Sequence, residues 1–149
     1  MERRIINIKN EKETERFGKE LGAQAKASDV IALIGDLGTG KTTLTRYIAA
    51  GLGVKETITN PTFTIIKEYR SGRLPLFHFD VYRIADPDEM YELGYEEYFF
   101  GDGVCVIEWA DLIKELIPED AMTIRISRGE GEDERIYEIE DNRRKSLKR

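Results

Sequence analysis

The apolar positions of this chain recur with the two periods that belong to strands and helices. Val30–Ile34 is an unbroken apolar run of strand length, and a strand that is apolar throughout is typical of the buried middle of a parallel sheet. Residues 5–8 predict a short strand ahead of it. Between the two, a stripe at residues 14, 17, 21 and 25 predicts a helix that packs on the sheet, with Asn10 as its N-cap and Glu13 as its third residue.

Later segments alternate between the same two kinds of element. Lys41–Leu52 predicts a helix that ends at Gly51 or Gly53, and Asp86 begins a short helix that ends near Gly94. The other predicted elements are a hairpin of strands 62–69 and 74–81, a strand at 104–107, a short helix at 110–117, and a hairpin of strands 123–127 and 135–139. This order predicts an α/β fold, and the lack of a linker-like segment predicts a single domain over residues 1–149.

Composition narrows the classes of function. The 149 residues are 35% charged with a net charge of -6, so the surface as a whole does not suit nucleic acid. The basic tail from Asn142 to Arg149 is either a frayed solvated end or a contact for RNA or an acidic partner. Cys105 is the one cysteine and lies in an apolar run, which predicts an inert core thiol. Because the sequence shows no secretory signal and no apolar run long enough to span a bilayer, we expect a cytoplasmic protein that does not associate with a membrane.

Gly35–Thr42 matches the phosphate-binding pattern G-x-x-x-x-G-K-[ST], between a predicted buried strand and a predicted helix. Glycines let several backbone N–H groups converge on phosphates, and the start of a helix directs its positive dipole end at the same charge. We expect Lys41 to reach the β- and γ-phosphates of a nucleotide and the Thr42 hydroxyl to bind Mg²⁺. The guanine-reading segment of GTPases is absent, which favours ATP as the substrate.

Two acidic residues follow predicted strands and are candidates to complete a metal site. Glu108 comes directly after the strand at 104–107, and Asp80 ends the segment Leu76–Phe79. The carboxyl ends of neighbouring parallel strands meet at one edge of a sheet, where a P-loop also lies. We predict that Glu108 holds Mg²⁺, directly or through water, and that Asp80 lies beside it and orients the metal shell or the attacking water. Each acid, taken alone, is also explained as a solvated strand end.

Four motifs, in this order, resemble those of the TsaE family, small ATPases of bacterial tRNA threonylcarbamoyladenosine synthesis. The motifs are Gly35–Thr43, Asn60–Thr64, His78–Arg83 and Ile107–Trp109. The likeness extends from about Thr14 to Asp111. The family more often has Ser where Asn60 stands and Ala where Thr39 stands, and both are small or polar loop substitutions. The acidic turn at 129–133 and the basic tail match no motif of the family.

The resemblance implies a P-loop NTPase-like three-layer fold, with a mostly parallel central sheet and antiparallel hairpin additions. It implies ATP as substrate and Mg²⁺ bound by Thr42 and Glu108. It also implies that Thr62 lies in a switch-like segment near the γ-phosphate, that Asp80 is needed for hydrolysis, and that Trp109 adjoins the nucleotide. The predicted catalytic residues are then Lys41, Asp80 and Thr62. The predicted nucleotide-binding residues are Thr14 on the adenine side, Asp36, Leu37, Gly38, Thr39, Gly40, Lys41, Thr42, Thr43, Asp80 and Trp109.

Members of the family work with TsaB and TsaD, and TsaD transfers the threonylcarbamoyl group to the adenosine beside the anticodon of tRNA. The resemblance implies that ATP hydrolysis by this chain supports repeated turnover of that complex. It implies contact with tRNA through the complex, and leaves direct contact by the tail open. No arginine is evident as a finger within the chain, which predicts slow hydrolysis by the isolated protein.

Two other functions share the P-loop. A small-molecule kinase needs an acceptor site and an arginine-rich lid, whereas residues 85–103 are short, acidic and without arginine. A nucleotide sensor that does not hydrolyse would keep Lys41 and Thr42 but would have no use for Asp80 as a hydrolytic group. From the residues alone, Trp109 is also explained as a core side chain and Thr62 as part of an ordinary turn.

Overall fold

The computed structural model describes residues 2–61 and 64–144 of the chain. The strands within these residues are β1 Glu2–Ile8, β2 Val30–Ile34, β3 Ile66–Tyr69, β4 Leu76–Asp80, β5 Val104–Glu108, β6 Met122–Arg128 and β7 Arg135–Asp141. The α-helices are α1 Glu11–Gln24, α2 Lys41–Leu52, α3 Glu89–Glu92 and α4 Tyr95–Phe99, and a 3-10 helix spans Ala110–Leu116.

All of these strands lie in one mixed sheet with the order β1-β7-β6-β2-β5-β4-β3. The four strands β6, β2, β5 and β4 are parallel to one another. At one end of the sheet β3 is antiparallel to β4, and at the other β7 is antiparallel to both β6 and β1, so that β1 runs in the same direction as the four core strands. In this register Leu33 is opposite Glu108, and Glu108 is opposite Asp80. The parallel core therefore brings the ends of three strands to one edge, where β2 leads into the glycine loop.

Helices cover both faces of the sheet and give it three layers. Ile31 and Leu33 of β2 pack in the core that includes α1 and α2, whereas Val30 and Ala32 pack in the core that includes α3 and α4. Alternate side chains of one strand thus enter opposite cores. This is why β2 is apolar at every position, and it confirms the predicted α/β fold with a parallel central part.

Glycines allow α1 and α2 to pack with their backbones in close contact. Gly22 on α1 faces Gly51 on α2, and an ideal Cβ built at Gly22 would lie 2.8 Å from the Cα of Gly51 and from the backbone nitrogen of Leu52. Gly53, with φ of 82°, ends α2 in the left-handed region, as predicted.

We expect Gly22→Ala to lower the free energy of unfolding by about 1–3 kcal/mol, because a methyl group forced into a closed interface must push the two backbones apart. Urea denaturation measures the change. Glu20→Ala, at an exposed position of the same helix, is the control and should change stability by less than about 0.5 kcal/mol. Wild-type stability in Gly22→Ala would contradict the tight contact.

The hairpin strand predicted at 62–69 is shorter than expected. β3 begins at Ile66, since Ile65 has a φ of 66° and so leaves the extended conformation. Residues 62 and 63, and with them the predicted catalytic Thr62, lie outside the described part of the chain. The strand predicted at 74–81 is β4, and its antiparallel pairing with β3 agrees with the predicted hairpin.

The short helices also differ from their predictions. α3 begins at Glu89, three residues later than predicted. Asp86 still caps the turn that leads into it, because its Oδ1 accepts the N–H of Asp88 and the Glu89 carboxylate accepts the N–H groups of Ala85 and Asp86. A second helix, α4, starts directly after Gly94 and was not predicted. The segment predicted as a helix at 110–117 is a 3-10 helix, interrupted by the non-helical backbone of Ile113.

The first residues of the basic tail pack against the fold. Arg143 donates to the buried carboxylate of Asp29 at 3.2 Å, and Arg144 donates to both oxygens of the same carboxylate at 2.6 and 2.8 Å. The backbone N–H of Asn142 donates to the Ala121 carbonyl. Residues 145–149 lie outside the described residues. The Asp29 contacts lie at the start of β2, at the opposite end of that strand from the glycine loop.

Cys105 on β5 is buried, and burial raises the pKa of its thiol. A protonated, enclosed thiol is a poor nucleophile, which agrees with the prediction of an inert core residue. No helix among the described residues has the length and apolar character needed to cross a membrane.

Candidate nucleotide-binding site

The loop Gly35–Gly40 between β2 and α2 owes its shape to glycine. Gly38 and Gly40 have φ values of 78° and 103°, in the left-handed region that other residues avoid. An ideal Cβ at Gly35 would lie 2.7 Å from the Oγ1 of Thr39, so the chain can close on itself only without a side chain there. Helix α2 starts directly after the loop, at Lys41.

Two arginines of the β6–β7 hairpin hold the loop from outside. Arg128 donates from Nη2 to the Gly38 carbonyl at 3.1 Å, and Arg135 donates from Nε to the Thr39 carbonyl at 2.9 Å. Both contacts are charge-assisted hydrogen bonds to consecutive parts of the loop. They tie the loop to a hairpin that comes about ninety residues later in the sequence and fix the position of the loop on the sheet.

Lys41 is buried although it carries an ammonium group. Its Nζ donates to the carbonyls of Gly35 and Asp36 at 2.6 and 2.9 Å and lies 4.0 Å from the ring centroid of Trp109. Burial lowers the pKa of Lys41, and the negative charge of Glu108 acts against that shift. Two carbonyl oxygens and the ring of Trp109 therefore hold the Lys41 amine at the loop, close enough to Glu108 to interact with its charge.

The Glu108 carboxylate, at the end of β5, accepts hydrogen bonds at both of its oxygens. The Thr42 hydroxyl donates to Oε1 at 2.8 Å, and its oxygen also lies 3.0 Å from Oδ1 of Asn60. At Oε2, the Nε2 of His78 lies at 2.6 Å and the Thr45 hydroxyl at 3.3 Å. Glu108 is 2% exposed, so this buried charge depends on these donors.

Asp80, at the end of β4, lies next to Glu108 across the parallel pair. Burial raises the pKa of Asp80, and the charge of Glu108 raises it further, against a hydrogen bond of 3.0 Å from the Tyr82 N–H to Oδ1. Two carboxylates at one strand edge favour the uptake of a cation, because an added positive charge relieves their repulsion.

The oxygen donors at this edge fit a hard divalent cation. Thr42 and Glu108 supply a hydroxyl and a carboxylate, and Asp80 a second carboxylate beside them. No group of three or more His, Cys, Asp or Glu side chains suited to a metal occurs in residues 2–61 and 64–144. A hydroxyl with one or two carboxylates is a donor set that fits Mg²⁺, which completes its shell with water and phosphate.

A cavity of about 460 Å³ opens beside these groups. The predicted residues that line it are Leu37, Gly38, Gly40, Lys41, Thr42, Thr43, Asp80, Glu108 and Trp109. Thr14 and Thr39 instead line a neighbouring cavity of about 90 Å³, which shares Gly40 and Thr43 with the first. Asp36 lines neither cavity and takes part through its carbonyl, which accepts from Lys41.

Trp109 turns the chain at the rim of the larger cavity. Its φ of 62° is left-handed, and its ring packs on Tyr82 with centroids 4.5 Å apart. Arg83 lines the cavity as well, is exposed, and makes no hydrogen bond or ion pair among the described residues. Trp109 therefore belongs to the wall of the site, and Tyr82 supports it.

Sequence reasoning missed several groups of the site. Arg128 and Arg135 carry no local signal, because their partners are far away in the sequence. Thr45 lies one turn after Lys41 on α2, and His78 lies two residues before Asp80 on β4. The helical period of 3.6 places Thr45 on the same face of α2 as Lys41, and the strand period of 2 places His78 on the same face of β4 as Asp80. These spacings from predicted site residues are the signal that could have identified both.

Comparison with known proteins identifies one family. The sequence model described as "Threonylcarbamoyl adenosine biosynthesis protein TsaE" matches residues 8–137. The chain is 52% identical over 126 residues to the tRNA threonylcarbamoyladenosine biosynthesis protein TsaE of Bacillus subtilis, covering 85% of this chain and 78% of that protein. It is 41% identical to the protein of the same name from Treponema pallidum, over 76% of this chain and 84% of that one.

A solved structure shares the fold. The crystal structure of Bacillus subtilis YdiB superposes with a TM-score of 0.76 at 46% identity, covering 93% of this chain and 84% of that chain. The family match spans most of the chain and includes the glycine loop, both strand-end acids and the hairpin arginines. The chain therefore belongs to the TsaE family, whose members take part in the biosynthesis of threonylcarbamoyladenosine in tRNA.

Proposed function

We propose that the chain binds ATP with Mg²⁺, hydrolyses it slowly on its own, and supports the formation of threonylcarbamoyladenosine by TsaB and TsaD. The observation that carries the proposal is the single cavity at which the glycine loop and Lys41 meet Thr42, Asp80 and Glu108. These groups come from three separate parts of the chain, namely the segment Gly35–Thr42, the end of β4 and the end of β5, and share one edge of the sheet.

The loop side of the cavity suits a row of phosphates. The first N–H groups of α2 have no partner within the helix, and its positive dipole end opens on the loop. Lys41 contributes a cation whose present partners are neutral carbonyls. A phosphate oxygen is a stronger acceptor for an ammonium than a carbonyl is, so the amine has reason to turn to a bound nucleotide.

The acid side of the cavity suits the metal. Thr42 and Glu108 would hold Mg²⁺, and the bound ion would neutralise phosphate charge and polarise the phosphoryl oxygens. Asp80 would lie beside this pair and orient either the metal shell or the attacking water. This contribution is positioning rather than strong base catalysis, since a carboxylate near a cation is a weak base.

Slow hydrolysis by the isolated chain follows from how the positive groups are held. Arg83 is exposed at the rim and has no partner that fixes it among the described residues, so it is not preorganised for a transition state. Lys41 is fixed but acts on bound phosphate as well as on the transition state. A partner protein that covers the rim of the cavity would fix the side chain of Arg83 or provide another positive group there. On the basis of the family, we propose TsaB and TsaD as these partners.

Reconstitution tests the proposal. With TsaB, TsaD, tRNA and the donor of the threonylcarbamoyl group, repeated formation of modified adenosine should require this chain, ATP and Mg²⁺. Equal yields with and without the chain would contradict the proposed function. Transfer of labelled phosphate to an acceptor other than water would identify a kinase, and ATP binding without any hydrolysis in the full mixture would identify a sensor.

Trp109 should report nucleotide binding directly, because it is the single tryptophan and the Lys41 ammonium lies over its ring. We expect ATP with Mg²⁺ to change its emission, since phosphates draw that cation away from the ring. Fluorescence titration measures the effect, and calorimetry on Trp109→Phe is the control for binding. Unchanged emission while calorimetry detects binding would place the nucleotide elsewhere.

A further inference from the structure

His78 is the single histidine of the chain, and its side chain is fully buried. Its Nε2 lies 2.6 Å from Oε2 of Glu108, while its Nδ1 has no hydrogen-bond partner among the described residues. A carboxylate only accepts, so the nitrogen that faces it carries the hydrogen. The imidazole thus makes one hydrogen bond, from Nε2 to Glu108, while its buried Nδ1 stays without a hydrogen bond among the described residues, which costs free energy.

Glu108 has separate partners for its two oxygens. Oε1 faces the Thr42 hydroxyl, and Oε2 faces His78 and Thr45. The Thr45 hydroxyl has one hydrogen and lies closer to the Lys41 carbonyl, at 2.9 Å, than to Glu108, at 3.3 Å. His78 is therefore the principal donor at Oε2 and the group that stops the carboxylate from rotating.

On the basis of the proposed function, we infer that His78 is a positioning residue for the metal site. Its Nε2–H holds Oε2 of Glu108, so that Oε1 stays turned to the Thr42 hydroxyl and to the Mg²⁺ that these two residues would share. A ligand that is oriented before binding loses less freedom when the cation arrives, and such supporting contacts change metal affinity by about 10- to 100-fold. His78 lies two residues before Asp80 on the same face of β4, so one strand carries both the support and an acid of the site.

The metal-free protein offers the first test. Because the chain has one histidine, nitrogen-15 labelling of histidine gives a single ring in the NMR spectrum. We expect a hydrogen on Nε2 and a bare Nδ1, with the Nε2–H protected from exchange with water. A neutral ring with its hydrogen on Nδ1 would overturn the inference, and this result does not depend on whether the protein binds ATP.

Two substitutions give the second test. His78→Phe keeps a ring but removes the donor, whereas His78→Gln places an amide N–H at about the distance of Nε2 from the backbone. We expect His78→Phe to raise the Mg²⁺ concentration for half-saturation of the ATP complex by about tenfold or more, and His78→Gln to recover most of that loss. ATP binding measured in EDTA should stay unchanged in both variants.

Leu76→Ala is the matched control, since Leu76 is buried on the same face of β4 and does not contact Glu108. It should lower the melting temperature without changing the Mg²⁺ requirement. A wild-type requirement in His78→Phe would show that the histidine serves packing alone. If His78→Phe does not fold, the Mg²⁺ requirement of His78→Gln and the NMR result test the positioning role of His78. Absence of ATP binding in the wild-type protein would instead refute the proposed function.

Discussion

Lys41→Ala should weaken the binding of ATP by about 10- to 150-fold. The substitution removes a charge-assisted hydrogen bond to phosphate, which contributes about 1.5–3 kcal/mol. The ammonium of Lys41 is buried at the glycine loop and donates hydrogen bonds there to carbonyl oxygens. Arg83 also lines the cavity but is exposed at its rim, and the guanidinium groups of Arg128 and Arg135 are bonded to other carbonyls of the loop. Isothermal titration calorimetry with ATP and Mg²⁺ measures the loss.

The nucleotide series makes this prediction specific. If Lys41 acts on the β- and γ-phosphates, ATP and ADP should lose affinity while AMP, which lacks them, should lose little. Lys19→Ala is the control, because Lys19 is an exposed lysine on α1 whose described partner is Glu15. Undiminished ATP affinity in Lys41→Ala would contradict the proposed phosphate contact of this lysine. An equal loss for AMP would place the amine at the α-phosphate or the ribose instead.

The parts of the site that could be predicted from sequence are those with a local cause. The motif Gly35–Thr43 is nine consecutive residues that follow a buried strand and run into a helix, so one window contains the glycines, Lys41 and Thr42 together. Glu108 and Asp80 were predicted to lie together because each ends a strand, and in a parallel core such ends meet at one edge. The register of β4 against β5 places the two acids directly opposite each other.

The remaining parts depend on contacts that no window contains. Arg135 reaches the loop across 96 residues, and His78 reaches Glu108 across 30. Their partners follow from strand order and register, which the hydrophobic pattern leaves open. The turn at Ile65 and the 3-10 helix after Trp109 were not predicted from sequence for a different reason. Each depends on a left-handed φ at a non-glycine residue, and the intrinsic preference of Ile and Trp argues against that conformation.

The hairpin arginines also change how the acidic turn between β6 and β7 is understood. The turn matched no motif of the family, yet the strands on either side of it supply Arg128 and Arg135 to the loop carbonyls. Arg135 is also bonded to the backbone carbonyls of Glu132 and Glu134, so the turn helps to hold this guanidinium group in place. The hairpin is therefore a structural support of the glycine loop as well as a part of the sheet, in which it pairs with β1 and β2.

Asp80→Asn should abolish most ATP hydrolysis while leaving ATP bound. We expect turnover in the reconstituted mixture to fall by about 100-fold or more, because a positioned carboxylate that orients water or the metal shell contributes at least that much. The substitution keeps the shape of the side chain. It removes one negative charge from the acid side of the cavity, while Lys41, Thr42 and Glu108 remain there to bind phosphate and Mg²⁺, so the affinity for ATP with Mg²⁺ should fall far less than turnover. Single-turnover phosphate release and calorimetry separate the two effects.

Asp111→Asn is the matched control for this result. Asp111 is an exposed acid just after Trp109 that also acts on the charge of Lys41, but it does not line the cavity. Turnover in Asp111→Asn should stay near that of the wild type. This result would show that Asp80 contributes more than negative charge in the neighbourhood of Lys41. Normal turnover in Asp80→Asn would end the proposed role of this residue. A parallel loss of ATP binding would instead mean that Asp80 acts in the ground state, as a ligand for the nucleotide complex rather than in its hydrolysis.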